Sequence, residues 1–275
     1  MAVTNEDIAD YFNRQQATYT RYWSPTALHY GFWDEGTKTL AEAITNTDRF
    51  VVDALGIGAG DRVLDAGCGV GGSSLFIAQA TGARLEGITL SPVQLEIARE
   101  RAARSPAAAR LNFSIQDYTR TDFPGASFTQ VFGIESICYA RRKIDFLTEA
   151  FRVLAPGGRL AVVDAFLTRE TLDAREEKIY RHFLEGWVLP NLPTKDAFAQ
   201  ALAQAGFVDA VYHDKTRAIA PSSRKIHLLG RLSYPLDLMK SVLGIGRDNF
   251  SALYQRALFE RGIATYGVFV ATKPA

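Results

Sequence analysis

Apolar and polar positions along the chain switch between two periods. Over residues 38–55, Leu40, Ile44, Thr47, Val51 and Ala54 recur at steps of 4, 3, 4 and 3, which predicts an amphipathic helix, and Gly56 follows as its stop. Val63 and Leu64 belong to a short buried strand that runs into a glycine-rich turn, and a helix is expected over residues 73–80. The alternation then repeats. Residues 84–90 read as a strand. Ser91, Pro92 and Gln94 open a helix with the spacing of a capping box and proline at its first position. Residues 111–118 read as the third strand, and residues 128–140 as the fourth strand with its exit. Ile144, Leu147, Phe151 and Leu154 mark the face of the next helix, which a Pro-Gly-Gly run breaks before a fifth strand over 158–166.

Two regions depart from this alternation. Before the first strand, Thr4 and Asp7 start a helix with Ile8, Tyr11 and Phe12 on one face, and Tyr19, Tyr22, Trp23, Tyr30, Phe32 and Trp33 then crowd together. These rings either pack the helix on the core or form a lid that shields a cation. After a charged helix (174–185), which leads to Phe183, Trp187 and Pro190, a helix begins at Thr194 with Phe198, Ala201, Leu202 and Ala205 on one face and Gly206 at its end. Strands are expected at 207–213 and 262–272. The residues between them are too many for a hairpin loop, so 222–261 read as inserted helices forming a cap, with Tyr234, Leu236, Leu238, Met239 and Leu243 offering an apolar surface. The implied class is α/β, a doubly wound, mostly parallel sheet. The expected division is a lid over 1–36, a core over 37–217, a cap over 218–262 and a final core strand over 263–275.

Composition narrows the picture. The 275 residues are 47% hydrophobic, enough for a sizeable core, and the net charge of +1 gives no electrostatic footprint for nucleic acid. The two cysteines, Cys68 and Cys138, sit in different motifs and point to a reducing compartment. No apolar run approaches a membrane span. A cytoplasmic protein, monomer or homodimer, is expected. The four histidines, His29, His182, His213 and His227, have no metal-ligand spacing, so no metal is expected.

The candidate chemistry begins at the turn. Asp65 precedes Gly67, Gly69, Gly71 and Gly72, so a strand tip, a bare-backbone turn and a helix N-terminus lie together. Glycine spacing alone does not exclude a dinucleotide, and Glu86 lies 19 residues after Gly67, as a ribose ligand would. It sits in mid-strand, however. A carboxylate at position 65 repels a pyrophosphate and suits an ammonium or sulfonium ligand. The D-x-G-x-G-x-G pattern resembles the first motif of class I S-adenosylmethionine methyltransferases. The stretch from Gly87 to Gln94 resembles the matching part of tocopherol and sterol methyltransferases and of cyclopropane fatty-acid synthases. In the last group the residues equivalent to Thr89 and Gln94 touch the cofactor ribose; the capping box is the competing use of Gln94. The resemblance spans roughly residues 60 to 212. It implies seven strands with the last inserted antiparallel, and it implies the cofactor S-adenosylmethionine, leaving as S-adenosylhomocysteine. The residues assigned to that cofactor are Tyr30, Asp65, Gly67, Cys68, Gly69, Gly71, Thr89, Leu90, Gln94, Gln116, Asp117, Tyr118 and Gly133, with Asp117 for the adenine amino group and Tyr118 to cover the ring.

Glu135, at the exit of the fourth strand, falls where the reactive methyl points in this family. The stretch from Ile134 to Ala140 is similar to a glutamate-bearing stretch of sterol C-methyltransferases, with Tyr139 where those tend to have histidine. A glutamate there serves as a cation stabiliser or a general base, or it only binds the amino-acid end of the cofactor. His29, Tyr19 and Tyr22 join it as candidate catalytic groups. Trp33, Tyr139, Tyr180, Phe183, Trp187, Tyr234 and Met239 are the candidate acceptor pocket. Arg141, Arg142 and Lys143 read as a solvated face or as an anchor for an anionic acceptor. The expected activity is methyl transfer to a small hydrophobic acceptor, most simply to carbon of an isoprenoid or other alkene-like natural product. O- or N-methylation of an aromatic, an NAD-dependent oxidoreductase and a binding protein without turnover are the alternatives.

Overall fold

Each strand–helix alternation becomes one layer step around a single seven-stranded sheet. The computed structural model describes the backbone of residues 3–242 and 251–275, and side chains of 3–234 and 251–275. In chain order the elements are α1 (Asn5–Tyr22), α2 (Leu40–Leu55), β1 (Arg62–Ala66), α3 (Gly72–Thr81), β2 (Arg84–Thr89), α4 (Pro92–Ala103), β3 (Leu111–Ile115), β4 (Phe128–Ile134), α5 (Lys143–Val153), β5 (Leu154–Leu167), α6 (Ala174–Trp187), α7 (Lys195–Gln204), β6 (Val208–Asp214), α8 (Ala220–Val242), α9 (Ser251–Glu260) and β7 (Ala264–Thr272).

The strand order is β3-β2-β1-β4-β5-β7-β6. β7 runs antiparallel to β5 and β6, and the remaining pairs are parallel. The chain therefore winds outward from β1 to β3, returns to β4 on the other side, and opens a crevice at the carboxyl ends of β1 and β4, where ligands bind in such sheets. Strand alternation sends Phe132 and Val163 to one face, packed with Phe32, Val51, Ile77 and Tyr266, and Val131 and Val162 to the other, packed with Phe146, Leu147, Phe198 and Leu202. Thr4 and Thr39 each form a capping box, with Asp7 and Glu42 respectively, and Gly56 ends α2 in the left-handed region at φ 66°.

Some elements differ from their sequence patterns. β5 begins at Leu154, not 158, because the Pro-Gly-Gly run stays in the sheet as a register shift with Gly157 at φ 75°. β3 ends at Ile115, and Asp117 folds into a turn whose N–H donor is Thr119. The insert forms α8 and α9, and α9 packs on both α6 and α8. The side chains of Leu236, Leu238 and Met239, and Leu243 altogether, lie outside the described residues. Among the described residues no helix is long and apolar enough to cross a membrane, and no group of His, Cys, Asp and Glu is arranged to hold a metal.

Candidate active site

Asp65 is the penultimate residue of β1, fully buried, and its Oδ2 accepts the Ser74 hydroxyl at 2.6 Å from the first turn of α3. The chain then turns through Gly67 and Cys68, whose N–H groups both donate to Ile88 O at 3.0 and 2.9 Å. Glycine is required at two points. Gly67 has φ 98°, and a Cβ there would lie 2.4 Å from the Ser136 Cβ. A Cβ on Gly72 would lie 1.9 Å from the Thr26 carbonyl, so only glycine lets residues 24–31 lie across the start of α3. Burial pushes the pKa of Asp65 up to about 7 against the lowering effect of the Ser74 hydrogen bond.

Thr89 and Gln94 meet at the end of β2. The Thr89 hydroxyl donates to Gln94 Oε1 at 3.0 Å, and Gln94 Nε2 donates to Gln16 Oε1 on α1 at 3.2 Å. Only half of the expected capping box forms: the Ser91 hydroxyl accepts from the Gln94 N–H, and the Gln94 side chain turns to Thr89 instead of back to Ser91. Ser91 also donates to Asn13 Oδ1 at 2.6 Å, so α1 is fastened over this strand end twice. Gln116 and Tyr118 line the same cavity, and the Tyr118 hydroxyl donates to Ser136 O.

Glu135 occupies the reacting end, just past β4, at a strained φ of 49°. Its Oε1 takes two hydrogen bonds, from the Tyr30 N–H at 2.7 Å and from the Tyr266 hydroxyl at 2.6 Å. Burial raises its pKa to about 8 against the lowering effect of those two bonds. Rings surround it. Tyr19 stacks on Trp187 with centroids 6.2 Å apart, and Phe12 meets Tyr139 edge-on at 5.3 Å. The Tyr11 and Tyr19 hydroxyls are bonded at 2.5 Å, and the Tyr139 hydroxyl donates to Trp187 O. His29 is buried beside this segment. Its Nδ1 lies 2.7 Å from Tyr30 O, which only accepts, so that nitrogen carries the proton of a neutral ring; burial lowers its pKa to about 4.

One cavity of about 1030 Å³, counted with its mouth, joins these groups. It is lined by Tyr19, His29, Asp65, Gly67, Cys68, Gly69, Thr89, Leu90, Gln94, Gln116, Tyr118, Glu135, Tyr139 and Trp187 among the residues singled out from the sequence. Others are not brought to it. Tyr22 is 55% exposed on the far side of α1. Tyr30 contributes its N–H, while its ring lies in the core against Phe259 and Tyr266 with its hydroxyl on Gln255. Gly71 packs against Phe113 and Ala98, and Gly133 against Ile137, because both face the sheet's core layers. Asp117 is held by Thr119 and by Asn5 of α1. The Trp33 indole N–H is taken by Ser222, the Tyr180 hydroxyl by the Leu192 N–H, and Phe183 is a core residue. Tyr234 is 39% exposed on α8, and the Met239 side chain lies outside the described residues. Glu86 stays in mid-β2, paired through Asn112, away from any strand end. Lys143 is buried and donates to three carbonyls, of Cys138, Ala140 and Asn191, which pins the Tyr139 loop to the one after α6; Arg142 pairs with Asp145. Neither anchors a ligand in the cavity.

The sequence did not single out Gln16, Asn13, Asp48, Ser136 or Tyr266. Each is one polar position in an otherwise unremarkable helix, loop or strand, and the only signal was a polar residue on an apolar face: Gln16 is 3% exposed.

Comparison with known proteins gives matching results. Residues 63–158 match the family model described as "Methyltransferase domain". The 27-O-demethylrifamycin SV methyltransferase of Amycolatopsis mediterranei is 34% identical over 200 residues, 72% of each chain. The chloroplastic tocopherol O-methyltransferase of Arabidopsis thaliana is 27% identical over 292 residues, 97% of this chain and 82% of that protein. A solved geranyl diphosphate methyltransferase, in complex with its diphosphate and sinefungin, shares the fold with a TM-score of 0.78 at 23% identity, over 98% of this chain and 99% of that one.

Proposed function

The chain belongs to the class I S-adenosylmethionine-dependent methyltransferases, and from that premise we propose that it methylates a small, hydrophobic, uncharged acceptor lying against Glu135, with carbon of an isoprenoid or other alkene-like molecule as the reacting atom. The observation that carries this reading is Glu135, a carboxyl held on one oxygen by Tyr30 and Tyr266 inside a ring of aromatics.

The residues present fit the cofactor. A buried carboxyl with no cation beside it (Asp65), a turn of bare backbone and a polar strand end (Thr89 and Gln94) suit an ammonium, an amino-acid carboxylate and a ribose in turn. The cofactor supplies an electrophilic methyl group on a sulfonium. The chain's own residues then have three tasks. Asp65 and the 67–72 turn hold the donor end. Tyr19, Tyr139, Trp187 and Phe12 exclude water and present π-faces to a developing cation. Glu135 accepts the proton that the acceptor gives up, at the oxygen that Tyr30 and Tyr266 leave free.

Among the described residues no lysine or arginine lines the cavity, which favours an uncharged acceptor over a diphosphate. A second reading, transfer to a hydroxyl oxygen, is favoured by the names of the rifamycin and tocopherol relatives. In that case Glu135 takes the hydroxyl proton and the rings only orient the nucleophile.

Labelled-methyl transfer to a panel of neutral terpenoids, prenyl diphosphates, phenols and macrolide alcohols tests the reading. Neutral alkene acceptors are expected to take the label at carbon; labelling confined to phenols or alcohols establishes the second reading instead. Glu135→Gln is expected to lower turnover about 100-fold with little change in cofactor affinity. Equal loss of both makes Glu135 a cofactor ligand.

A further inference from the structure

A further buried carboxyl lies behind the site. Asp48, on α2, is 3% exposed, and its Oδ1 has no hydrogen-bond partner. A buried polar atom left unpaired is costly, so its surroundings are informative. The nearest ring nitrogen is His29 Nε2, at 3.9 Å, which also lies 3.5 Å from the Ser73 hydroxyl. Because Tyr30 O fixes the His29 proton on Nδ1, Nε2 presents a lone pair toward Asp48. An ionised Asp48 would set negative charge against that lone pair. A protonated Asp48 turns an O–H toward it, and the contact, at 3.9 Å longer than a hydrogen bond, becomes favourable instead of repulsive. Burial acts in the same sense, raising Asp48 to about 7 against the lowering effect of the Ser73 side chain and with a further push from Asp65.

Tyr30 is the next link. Its carbonyl takes the His29 proton, and its N–H donates to Glu135 Oε1 at 2.7 Å. The other titratable groups facing Glu135 are the Tyr266 hydroxyl on the same oxygen, Asp164, whose charge disfavours ionisation of Glu135, and Tyr19, Tyr30, Tyr139 and Cys138, which burial holds neutral. Asp48 thus connects to the reacting end through one ring and one residue of backbone.

We propose that protonated Asp48 and neutral His29 form a buried positioning pair that holds the Tyr30 backbone and, through it, the Glu135 carboxyl. Its importance for turnover rests on the reading of Glu135 given above; the linkage itself does not. Asp48 lies behind the cavity, whereas His29 lines it. Their effect is on where Glu135 sits and how readily it ionises.

The experiment is acceptor-free. Full-length protein carrying ¹³C-carboxyl glutamate is titrated by NMR, with the Glu135 signal identified as the one lost in Glu135→Gln. Asp48→Ala is expected to raise the Glu135 midpoint by about half a unit to one unit, because loosening Tyr30 weakens a bond that favours the charged form. Asp48→Asn, whose amide N–H donates to Nε2, is expected to leave the midpoint within about 0.2 units of the parent. His29→Phe removes the bond to Tyr30 O and is expected to give the same rise as alanine, which keeps the test open should Asp48→Ala not fold. An unmoved Glu135 in Asp48→Ala or His29→Phe, or a rise in Asp48→Asn equal to that in alanine, overturns the proposal. Full turnover by Glu135→Gln on an acceptor from the panel removes the functional reading while leaving the linkage standing, so the two failures are distinct.

Discussion

At the scale of single residues, the site is built from carboxyls that the fold leaves without a cation. Asp65 was singled out in the sequence because a carboxylate at a strand tip before a glycine turn repels a pyrophosphate, and Glu135 through the resemblance of its stretch to sterol C-methyltransferases. Asp48 and Tyr266 were not: an aspartate in an amphipathic helix and a tyrosine in a strand are what any such element contains, and only the tertiary fold brings them to His29 and Glu135. The unpaired state of Asp65 has a measurable result. With the proposed ammonium contact, its pKa of about 7 in the ligand-free protein is expected to fall, and cofactor binding to release a proton near neutrality. Calorimetry is expected to show S-adenosylmethionine binding about 10-fold more weakly at pH 6 than at pH 8. Asp65→Ala is expected to lose about 30-fold in affinity and most of the pH dependence; unchanged binding would remove Asp65 from the cofactor site.

Among the elements, α1 is the one whose role the sequence left undecided between packing and lid. The structure shows the packing and adds polar contacts that a lid would use. Ile8 and Tyr11 are buried, while Asn5 of the same helix bonds to Asp117 beyond β3, and Asn13 and Gln16 bond to Ser91 and Gln94 beyond β2. Were α1 to act as a lid, these bonds would have to break as it opens. Gln16→Ala is expected to speed dissociation of S-adenosylhomocysteine several-fold in stopped-flow displacement while lowering the melting temperature by no more than a few degrees. An unchanged off-rate would make the Gln16 contact purely structural. Beneath this helix, Gly72→Ala is expected to be severe, since its Cβ would overlap the Thr26 carbonyl and displace residues 24–31, His29 included. Helices and strands of the core were readable because their periods of 3.6 and 2 are local. The ends of β3 and β5 were not, because Asp117 and Gly157 serve a turn and a bulge whose geometry depends on partners distant in sequence.

For the whole molecule, the doubly wound class followed from alternation, and the antiparallel insertion of the last strand from family resemblance, whereas the strand order itself was not legible, since no local pattern encodes a strand's neighbours. The buried carboxyls also act together. Asp48, Asp65 and Glu135 all have folded-state pKa values above their unfolded ones, so the folded state binds more protons. Their contribution to stability is complete below about pH 4 and is lost as pH rises through about 7 to 8. The ligand-free protein is therefore expected to melt at a lower temperature at pH 8.5 than at pH 6, and S-adenosylmethionine to narrow that gap; a flat profile in scanning calorimetry would mean that these groups ionise without cost. The placement of β7 has one more result, in time and not in energy. During synthesis β5 and β6 emerge first, with the slot between them empty, and Glu135 waits without the tyrosine that completes it. Only when residues 264–272 leave the ribosome can β7 fill that slot and Tyr266 reach Glu135, so the sheet and the candidate site are completed in the same step.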